Sequence, residues 1–342
     1  MNQEDSLKLK KFKSTLEETI INSEQVFVVT HINPDLDAIA SAMGIYYIVK
    51  MKLKKNCYII VNDNNNLLES GVKKIIEQEK HRIPFITLKK YLELKSENDI
   101  LITTDVNKTD RISLAEVLDN FKDIVLIDHH GENNMTINTD KKFITLGVSS
   151  ASEIVTKLFC EFKMNIEEKL ATYLLAGIKL DSESLSKNTD GDTMDMIKKL
   201  YKNGANNDDV RVLFQENYES DVRIGELIKQ LNFYIFQYAI AIGNDDETYT
   251  REELAKAADK ALKYGVDCAF VAGYIDEDKT LAAVSARSNG KINVGKIMED
   301  LKGGGNITSA ATVSKELSTH ELGEQLTLKL TNPYFKTGNN ID

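Results

Sequence analysis

The chain has 342 residues, 42% of them hydrophobic and 28% charged, with a formal net charge of −10. This is the composition of an ordinary globular protein, at a length that suits two hydrophobic cores better than one. The acidic balance argues against a coat for long nucleic acid, whose phosphates call for a basic surface, and no apolar run reaches the about 18–20 residues that span a bilayer.

The N-terminal "MNQEDSLKLKKFKSTLEETI" is charged and lacks an apolar signal core, so a cytoplasmic location is expected. Its pattern predicts an amphipathic helix lying on the domain. Strand-like runs follow at Val26–Thr30, Cys57–Val61, Ile100–Thr104 and Ile124–Ile127, separated by helical patterns such as Leu36–Lys50 and Ser113–Asn120. Alternation of strand and helix predicts an α/β domain, a parallel sheet with helices on both faces. Further helices are expected from Ser150 to Phe162, over "EEKLATYLLAGIKLD", and over "DTMDMIKKLYKNGAN", where Gly204 stops the helix. Asn206–Gln230 reads as a charged connecting helix.

A second α/β series comprises "YAIAIG", a helix at Thr250–Lys263, then "CAFVAGYID" and "TLAAVSARS" joined by a polar turn, which predicts an antiparallel hairpin in a mixed sheet. A helix at Val294–Leu301 and a polar tail end the chain. The expected organisation is a first α/β domain over 1–205, a helical linker over 206–235, a smaller α/β domain over 236–332 and a tail over 333–342. Cys57, Cys160 and Cys268 are widely spaced, odd in number and in apolar context, and are expected as buried free thiols.

Four segments end in residues able to hold a metal. "VFVVTHINPDLD" gives His31, Asp35 and Asp37; "ILITTD" gives Asp105; "IVLIDHH" gives Asp128, His129 and His130; "LLAGIKLD" gives Asp181. Three of these are ends of strand-like runs, which in an open parallel sheet lie along one edge, where ligands bind. Three of the chain's five histidines fall here, whereas His81 and His320 sit in charged stretches and are expected to face solvent. Carboxylates with imidazoles suit Mn²⁺, Fe²⁺, Co²⁺ or Zn²⁺. The absence of cysteine argues against structural zinc. The number of candidates allows a pair of metals sharing a carboxylate, the arrangement that clamps both oxygens of an in-line phosphoryl displacement.

"DLKGGGNITSAAT" (Asp300–Thr312) supplies three consecutive glycines, Gly303, Gly304 and Gly305. They would weaken regular structure and free amides for a phosphate. Ser309, Ala310 and Ala311 are expected to open another helix, whose N-terminus favours an anion. "SARS" supplies Ser285 and Arg287, the latter a fork suited to phosphate.

Together these residues resemble the DHH phosphoesterase family, named for the motif standing here as Asp128-His129-His130. "HINPDLDAIAS", Asp105 and Asp181 resemble its other metal motifs, and "SARS" with "GGGNITSAAT" resembles the DHH-associated C-terminal domain, so that the similarity runs from about Val26 to Leu330. "LLAGIKLDSESLS" and "KINVGKIMEDLKGGGNITSAAT" carry a nearer resemblance to the catalytic part of membrane-anchored bacterial cyclic-di-AMP phosphodiesterases.

The resemblance implies two domains with a cleft between them and two Mn²⁺ ions, with Co²⁺ or Fe²⁺ as substitutes. By family pattern His31 and Asp35 hold one ion, Asp37, His129 and Asp181 the other, and Asp105 bridges. His130 contacts the scissile phosphate or steadies the site, and Asp128 orients its neighbours. Water activated by the metals cleaves cyclic di-AMP or its linear dinucleotide. Ser285, Arg287, Gly303–Gly305 and Asn306 hold the distal nucleotide.

The implied partners are a small nucleotide and a second copy of the chain in a homodimer, with neither long nucleic acid nor a membrane segment. Three departures remove positive or proton-donating groups: Asn306 where the glycine motif usually ends in histidine, Asn188 and Asp192 where arginines are usual, and Gly131 where an arginine is common. A nano-RNase and 3′-phosphoadenosine-5′-phosphate phosphatase is the competing enzyme of the same family, and a catalytically weak nucleotide-binding regulator the competing non-enzyme. A manganese pyrophosphatase would need a basic motif not found here.

Overall fold

The computed structural model describes residues 3–61, 68–113, 115–215, 218–234 and 237–331. The tail expected over 333–342 lies outside them. The chain divides into two compact units, Met1–Gln215 and Glu216–Asp342.

In the first unit, β1 (Gln25–Val29), β2 (Asn56–Ile60), β3 (Phe85–Ile86), β4 (Ile100–Thr104), β5 (Asp123–Asp128) and β6 (Lys142–Ile144) form one sheet in the order β3-β2-β1-β4-β5-β6. Every pair in it is parallel. Val26–Val29 are buried on both faces, which is why β1 reads as an unbroken apolar run rather than an alternating one. The helices are α1 (Gln3–Ile21), α2 (Leu36–Tyr47), α3 (Ser70–Glu79), α4 (Leu88–Leu94), α5 (Ala151–Glu161), α6 (Glu168–Asp181), α7 (Gly191–Lys202) and α8 (Asn207–Leu213).

Residues of α1, α2, α5 and α6 build the core on one face of the sheet, where Leu9, Phe12, Leu16 and Ile20 turn one side of α1 inward. The opposite face carries an aromatic cluster of Phe27, Tyr91 and Phe121. α2 is buried from Leu36 to Tyr46, as expected of a helix that is apolar all round. It does not run on as a regular α-helix to Lys50 but widens into a π-helical turn over Ile48–Leu53. The helix expected at Ser113–Asn120 is reduced to a 3₁₀ stretch, Ala115–Asn120. The Ser113 hydroxyl instead donates to the carbonyls of Thr30 and His31 at 3.2 and 3.0 Å, an alternative partner that competes with helix formation. Cys57 and Cys268 are buried free thiols, but Cys160 is exposed, because at the end of α5 it is Phe159 and Phe162 that turn inward.

The second unit holds α9 (Tyr218–Lys229), β7 (Asn232–Tyr234), β8 (Tyr238–Ile242), α10 (Arg251–Leu262), β9 (Cys268–Tyr274), β10 (Ala282–Ser288), α11 (Val294–Glu299), β11 (Gly304–Gly305), β12 (Ser309–Ser314) and α12 (Thr319–Thr331). Its sheet runs β11-β12-β10-β9-β8-β7 and is mixed: β8 and β9 are parallel, joined by the crossover through α10, and the other pairs are antiparallel. The expected hairpin of β9 and β10 is present. The single connecting helix expected over Asn206–Gln230 is instead two. Asn206 caps α8, which packs on α3 and α6, whereas α9 packs on α10 with Ile224 and Leu227 buried.

The stretch Ser309–Ala311 opens a strand, not a helix. The Asn306 side-chain carbonyl accepts from the Thr308 and Ser309 amides at 2.9 and 2.8 Å, closing a tight turn that returns the chain as β12. The β-branched pair Thr312 and Val313 suits the strand that follows. Of the glycines before the turn, Gly304 and Gly305 form a strand as well. A Cβ on Gly303 would lie 2.3 Å from the Ala311 carbonyl oxygen, and one on Gly305, at φ +152°, 2.4 Å from the Ala310 Cα. Glycine is required here for the close approach of two strands.

Candidate metal centre

The strand order reverses between β1 and β4: β1 leads on to β2 at one side, while β4 lies at its other side. The carboxyl ends of strands at such a reversal form the crevice of an open α/β sheet. His31 follows β1, Asp105 follows β4, and His129 follows Asp128 at the end of β5, so the crossovers gather at one edge residues far apart in sequence. Asp181 arrives from a different element, the last turn of α6.

Asp35 does two tasks with two oxygens. Oδ1 accepts from the amides of Asp37 and Ala38 at 2.9 and 3.0 Å, capping α2, and Oδ2 faces the His31 Nε2 at 3.8 Å. Asp37 is fully buried in the first turn of α2. Its Oδ2 accepts from the Ala151 amide at 2.7 Å and its Oδ1 from the Ser152 amide at 2.8 Å, so the N-terminus of α5 is aimed at this carboxylate. α6 passes directly over it. A Cβ on Gly177 would lie 2.3 Å from the Ser152 Oγ, 2.8 Å from the Asp37 Oδ1 and 2.9 Å from the Asp37 Cα.

Asp105 stands at the centre, buried and in the left-handed region at φ +59°. Its Oδ2 lies 3.6 Å from the His31 Nε2 and its Oδ1 3.3 Å from the His129 Nε2. The His129 Nε2 also lies 2.9 Å from the Asp181 Oδ2. Ligand-capable atoms therefore fall into tight groups that share Asp105: His31, Asp35 and Asp105; Asp37, Asp105, His129 and Asp181; and Asp105 with Asp128, His129 and His130. Asp128 is buried, and its Oδ1 accepts from the His129 and His130 amides at 2.7 and 3.1 Å and meets the His130 Nδ1 at 2.9 Å. The His130 side chain is more than half exposed.

Crowding of charge leaves its mark on titration. Burial, then the Asp105 charge, pushes Asp35 up to about 7 against the opposing pull of His31, and burial with Asp105 and Asp181 raises Asp37 well above the carboxylate range. Burial works against ionisation of Asp105 as well, but His129 and His31 outweigh it and hold Asp105 low. Burial disfavours a charged His129, yet Asp105 and Asp181 lift it to about 11. The protein alone thus holds a proton on the imidazole amid its acids.

Buried side-chain atoms that lack a well-aligned hydrogen bond point the same way, the His129 Nε2 among them although the Asp181 Oδ2 lies 2.9 Å away. Among the described residues they are Asp105 Oδ1, Asn107 Oδ1, Asp128 Oδ2 and His129 Nε2, all at this site. A buried polar atom without a partner is costly, and a cation is what a carboxylate oxygen and an imidazole nitrogen would jointly satisfy. The donor set of carboxylates and imidazoles fits a divalent cation of the manganese, iron, cobalt or zinc type.

The other residues singled out in sequence lie in the second unit. Ser285 pairs with Ala311, which pairs with Gly304 on its other side, so "SARS" on β10 and the glycines on β11 flank β12 on either side. The Arg287 Nε lies 3.0 Å from the Asp259 Oδ1, and its NH1 donates to the Ala286 carbonyl at 3.1 Å. Gly131, Asn188 and Asp192 are exposed or at the surface, and His81 and His320 face solvent. Sequence reading did not single out Asn107, Gly177 or the α5 amides. A backbone amide carries no residue-specific signal, and Gly177 reads as an ordinary weak point in a helix.

A two-unit α/β protein with a carboxylate–imidazole centre at the crevice of a parallel sheet is the class these features define. Residues 25–178 match the DHH family, N-terminal domain, and residues 231–328 match the DHHA1 domain, so the chain carries both of these domains. It is 32% identical over 345 residues to the cyclic-di-AMP phosphodiesterase PdeA of Listeria monocytogenes, covering 98% of this chain and 51% of that protein. It is 26% identical to the bifunctional oligoribonuclease and PAP phosphatase NrnA of Mycoplasma pneumoniae, covering 85% of this chain and 88% of that protein. The chain thus spans about half the length of the cyclic-di-AMP phosphodiesterases it matches. In fold it is similar to an exopolyphosphatase-related protein from Bacteroides fragilis, with a TM-score of 0.75 at 19% identity over 95% of this chain and 98% of that one. No helix among the described residues is long and apolar enough to cross a membrane.

Proposed function

We propose that this chain is a phosphoric diester hydrolase that uses two divalent cations, Mn²⁺ foremost, to cleave cyclic di-AMP or its linear dinucleotide product. The observation that carries the reading is Asp105: its two oxygens face different imidazoles, His31 and His129, at 3.6 and 3.3 Å, as a carboxylate shared between two ions requires. His31 and Asp35 would hold one ion, and Asp37, His129 and Asp181 the other. When bound, such a pair supplies positive charge at the phosphate and acidifies the attacking water.

The remaining work belongs to the chain. Asp128 takes the Nδ1 side of His130 and raises the affinity of its ring for a proton, leaving Nε2 to donate to a phosphate oxygen. The Ala151 and Ser152 amides of α5 fix both oxygens of Asp37 in place among its acidic neighbours. Arg287, held through Nε by Asp259, would present its remaining guanidinium edge to the distal nucleotide, and Ser285 with the Gly303–Gly305 segment and Asn306 would line the same binding surface. The relatives named cyclic-di-AMP phosphodiesterases, matched over nearly the whole of this chain, support the substrate.

Coverage of 88% of the Mycoplasma NrnA supports a second reading, hydrolysis of short oligonucleotides and of 3′-phosphoadenosine-5′-phosphate. Product analysis with Mn²⁺ and with EDTA across cyclic di-AMP, a linear diadenylate and the bisphosphate separates the two. Cleavage of the cyclic dinucleotide supports the first reading, and turnover confined to the linear and bisphosphate substrates supports the second. Binding without turnover of any of them refutes both in favour of a regulator.

A further inference from the structure

Asn107 lies two residues beyond Asp105 and is almost wholly buried. Its Nδ2 donates to the backbone carbonyl of His130 at 3.0 Å. Only the amide nitrogen can face a carbonyl oxygen, so the orientation of the side chain is settled by that contact. Its other atom, Oδ1, is buried and has no partner, a condition it shares only with Asp105, Asp128 and His129 atoms among the described residues. The backbone around it is laced to the same loop. The Ile137 amide donates to the Asn107 carbonyl at 2.8 Å, and the Thr109 amide donates to the Met135 carbonyl at 3.0 Å.

We propose that Asn107 is a positioning residue of the metal centre, resting on the two-cation reading above. Through Nδ2 it clamps the loop carrying His129 and His130 against the loop carrying Asp105, and through Oδ1 it accepts a hydrogen bond from a water of the filled site. The two atoms serve different ends. The clamp acts with or without a cation. The acceptor has no partner within the protein, and the donor proposed for it is a water of the filled site. Asparagine suits both needs at once: aspartate would turn an oxygen toward the His130 carbonyl, and leucine would satisfy neither loop.

Asn107→Ala and Asn107→Asp separate the two tasks. The first measurement is amide hydrogen exchange of the metal-free protein. Both variants should exchange about tenfold faster over residues 130–137 while the β1 and β4 amides stay protected. The second is Mn²⁺ affinity by calorimetry. Asn107→Ala should bind about 10- to 100-fold more weakly, the usual cost of losing a group that orients ligands. Asn107→Asp retains an acceptor and adds charge, so it should lose less affinity than Asn107→Ala despite equal loosening of the loop. Wild-type exchange over 130–137 in both variants overturns the clamp, and affinity within twofold of wild type in Asn107→Ala overturns the role toward the cation. Wild-type protein that binds no Mn²⁺ would instead refute the two-cation reading and the acceptor role together, while the exchange result still decides the clamp. If Asn107→Ala does not fold, Asn107→Asp, of nearly identical volume, carries the exchange test.

Discussion

Replacing Asp105 by Asn tests the shared carboxylate with the least disturbance. Asparagine matches the shape of aspartate and tolerates the left-handed backbone found here at φ +59°. The change therefore removes one negative charge and little else. In the metal-free protein His129 keeps Asp181 at 2.9 Å and His31 keeps Asp35 at 3.8 Å, so neither imidazolium is left alone. The melting temperature in EDTA should stay within about 5 °C of wild type, where about 1 kcal/mol corresponds to roughly 2–4 °C for a domain of this size. Cation binding should suffer far more. Unit charges about 4 Å apart interact by about 4 kcal/mol at an effective dielectric near 20. Even after partial compensation by desolvation and by the amide oxygen, a loss of about 100-fold or more in Mn²⁺ affinity follows for each ion. Calorimetric titration reads affinity and stoichiometry, and turnover of a chromogenic phosphodiester reads the consequence, expected to fall by about 10³-fold or more. Two Mn²⁺ ions bound with wild-type affinity in Asp105→Asn would show that Asp105 bridges nothing, and the two-ion arrangement would have to be abandoned.

Three further outcomes follow from the geometry. Since burial and Asp105 hold Asp35 near 7, and His129 is lifted to about 11, a cation must displace protons: Mn²⁺ affinity should rise with pH, with the His129 proton released at both pH 6 and pH 8 and about one more proton in total, from Asp35, released at pH 6 than at pH 8, measured by calorimetry in buffers of different ionisation enthalpy. Proton release that does not change across that range contradicts the assignment. Gly177→Ala improves helix propensity, yet its Cβ would lie 2.9 Å from the Asp37 Cα, which cannot rotate away; a net loss of about 1–3 kcal/mol and weaker Mn²⁺ binding are expected, and a rise in melting temperature with unchanged affinity would show that α6 does not press on Asp37. Asn306→His removes the acceptor that closes the β11–β12 turn, so it should lower the stability of the second unit by about 1–2 kcal/mol, whereas Asn306→Asp, which retains an acceptor, should be nearly neutral in thermal melts.

The parallel sheet was legible because its strands are buried on both faces and bounded by helix signals. The runs at Val26–Thr30 and Ile100–Thr104 differ from β1 and β4 by at most one residue at either end. β3 and β6 were not legible, being two and three residues long, too short for any period to register. The candidate ligands were legible as residue types at strand ends, and the fold does bring them within reach of one another. The glycine segment was misread for a physical reason. Three glycines describe equally well a loop that must bend and a strand that must lie against another backbone, and only the partner, here the Ala310–Ala311 backbone, decides between them. The Asn306 turn that fixes this choice depends on amides two and three residues ahead, a local pattern but one shared with many loops.

Asp37 explains why such a site can persist in a protein that must also fold without cations. Four carboxylates around one buried centre repel, and the buried helix α2 presses two of them together at its first turn. Helix α5 offsets this by aiming the Ala151 and Ser152 amides at Asp37, while His129, protonated until a cation arrives, sits between Asp105 and Asp181. The same proton that stabilises the empty site is the one a cation must expel, so tighter holding of the empty site means weaker net binding at low pH. The helix contribution has no such cost, because backbone amides neither titrate nor leave. This division predicts how the site should respond to damage. Asp37→Asn keeps a carbonyl oxygen for one α5 amide but turns an amide group toward the other donor, so it should destabilise the metal-free fold as well as weaken one ion. Asp181→Asn, at the accessible end of α6, should weaken the same ion with little effect on the metal-free melting temperature. If both substitutions leave the EDTA melting curve unchanged, Asp37 is a ligand only and α5 is held in place by its apolar face alone.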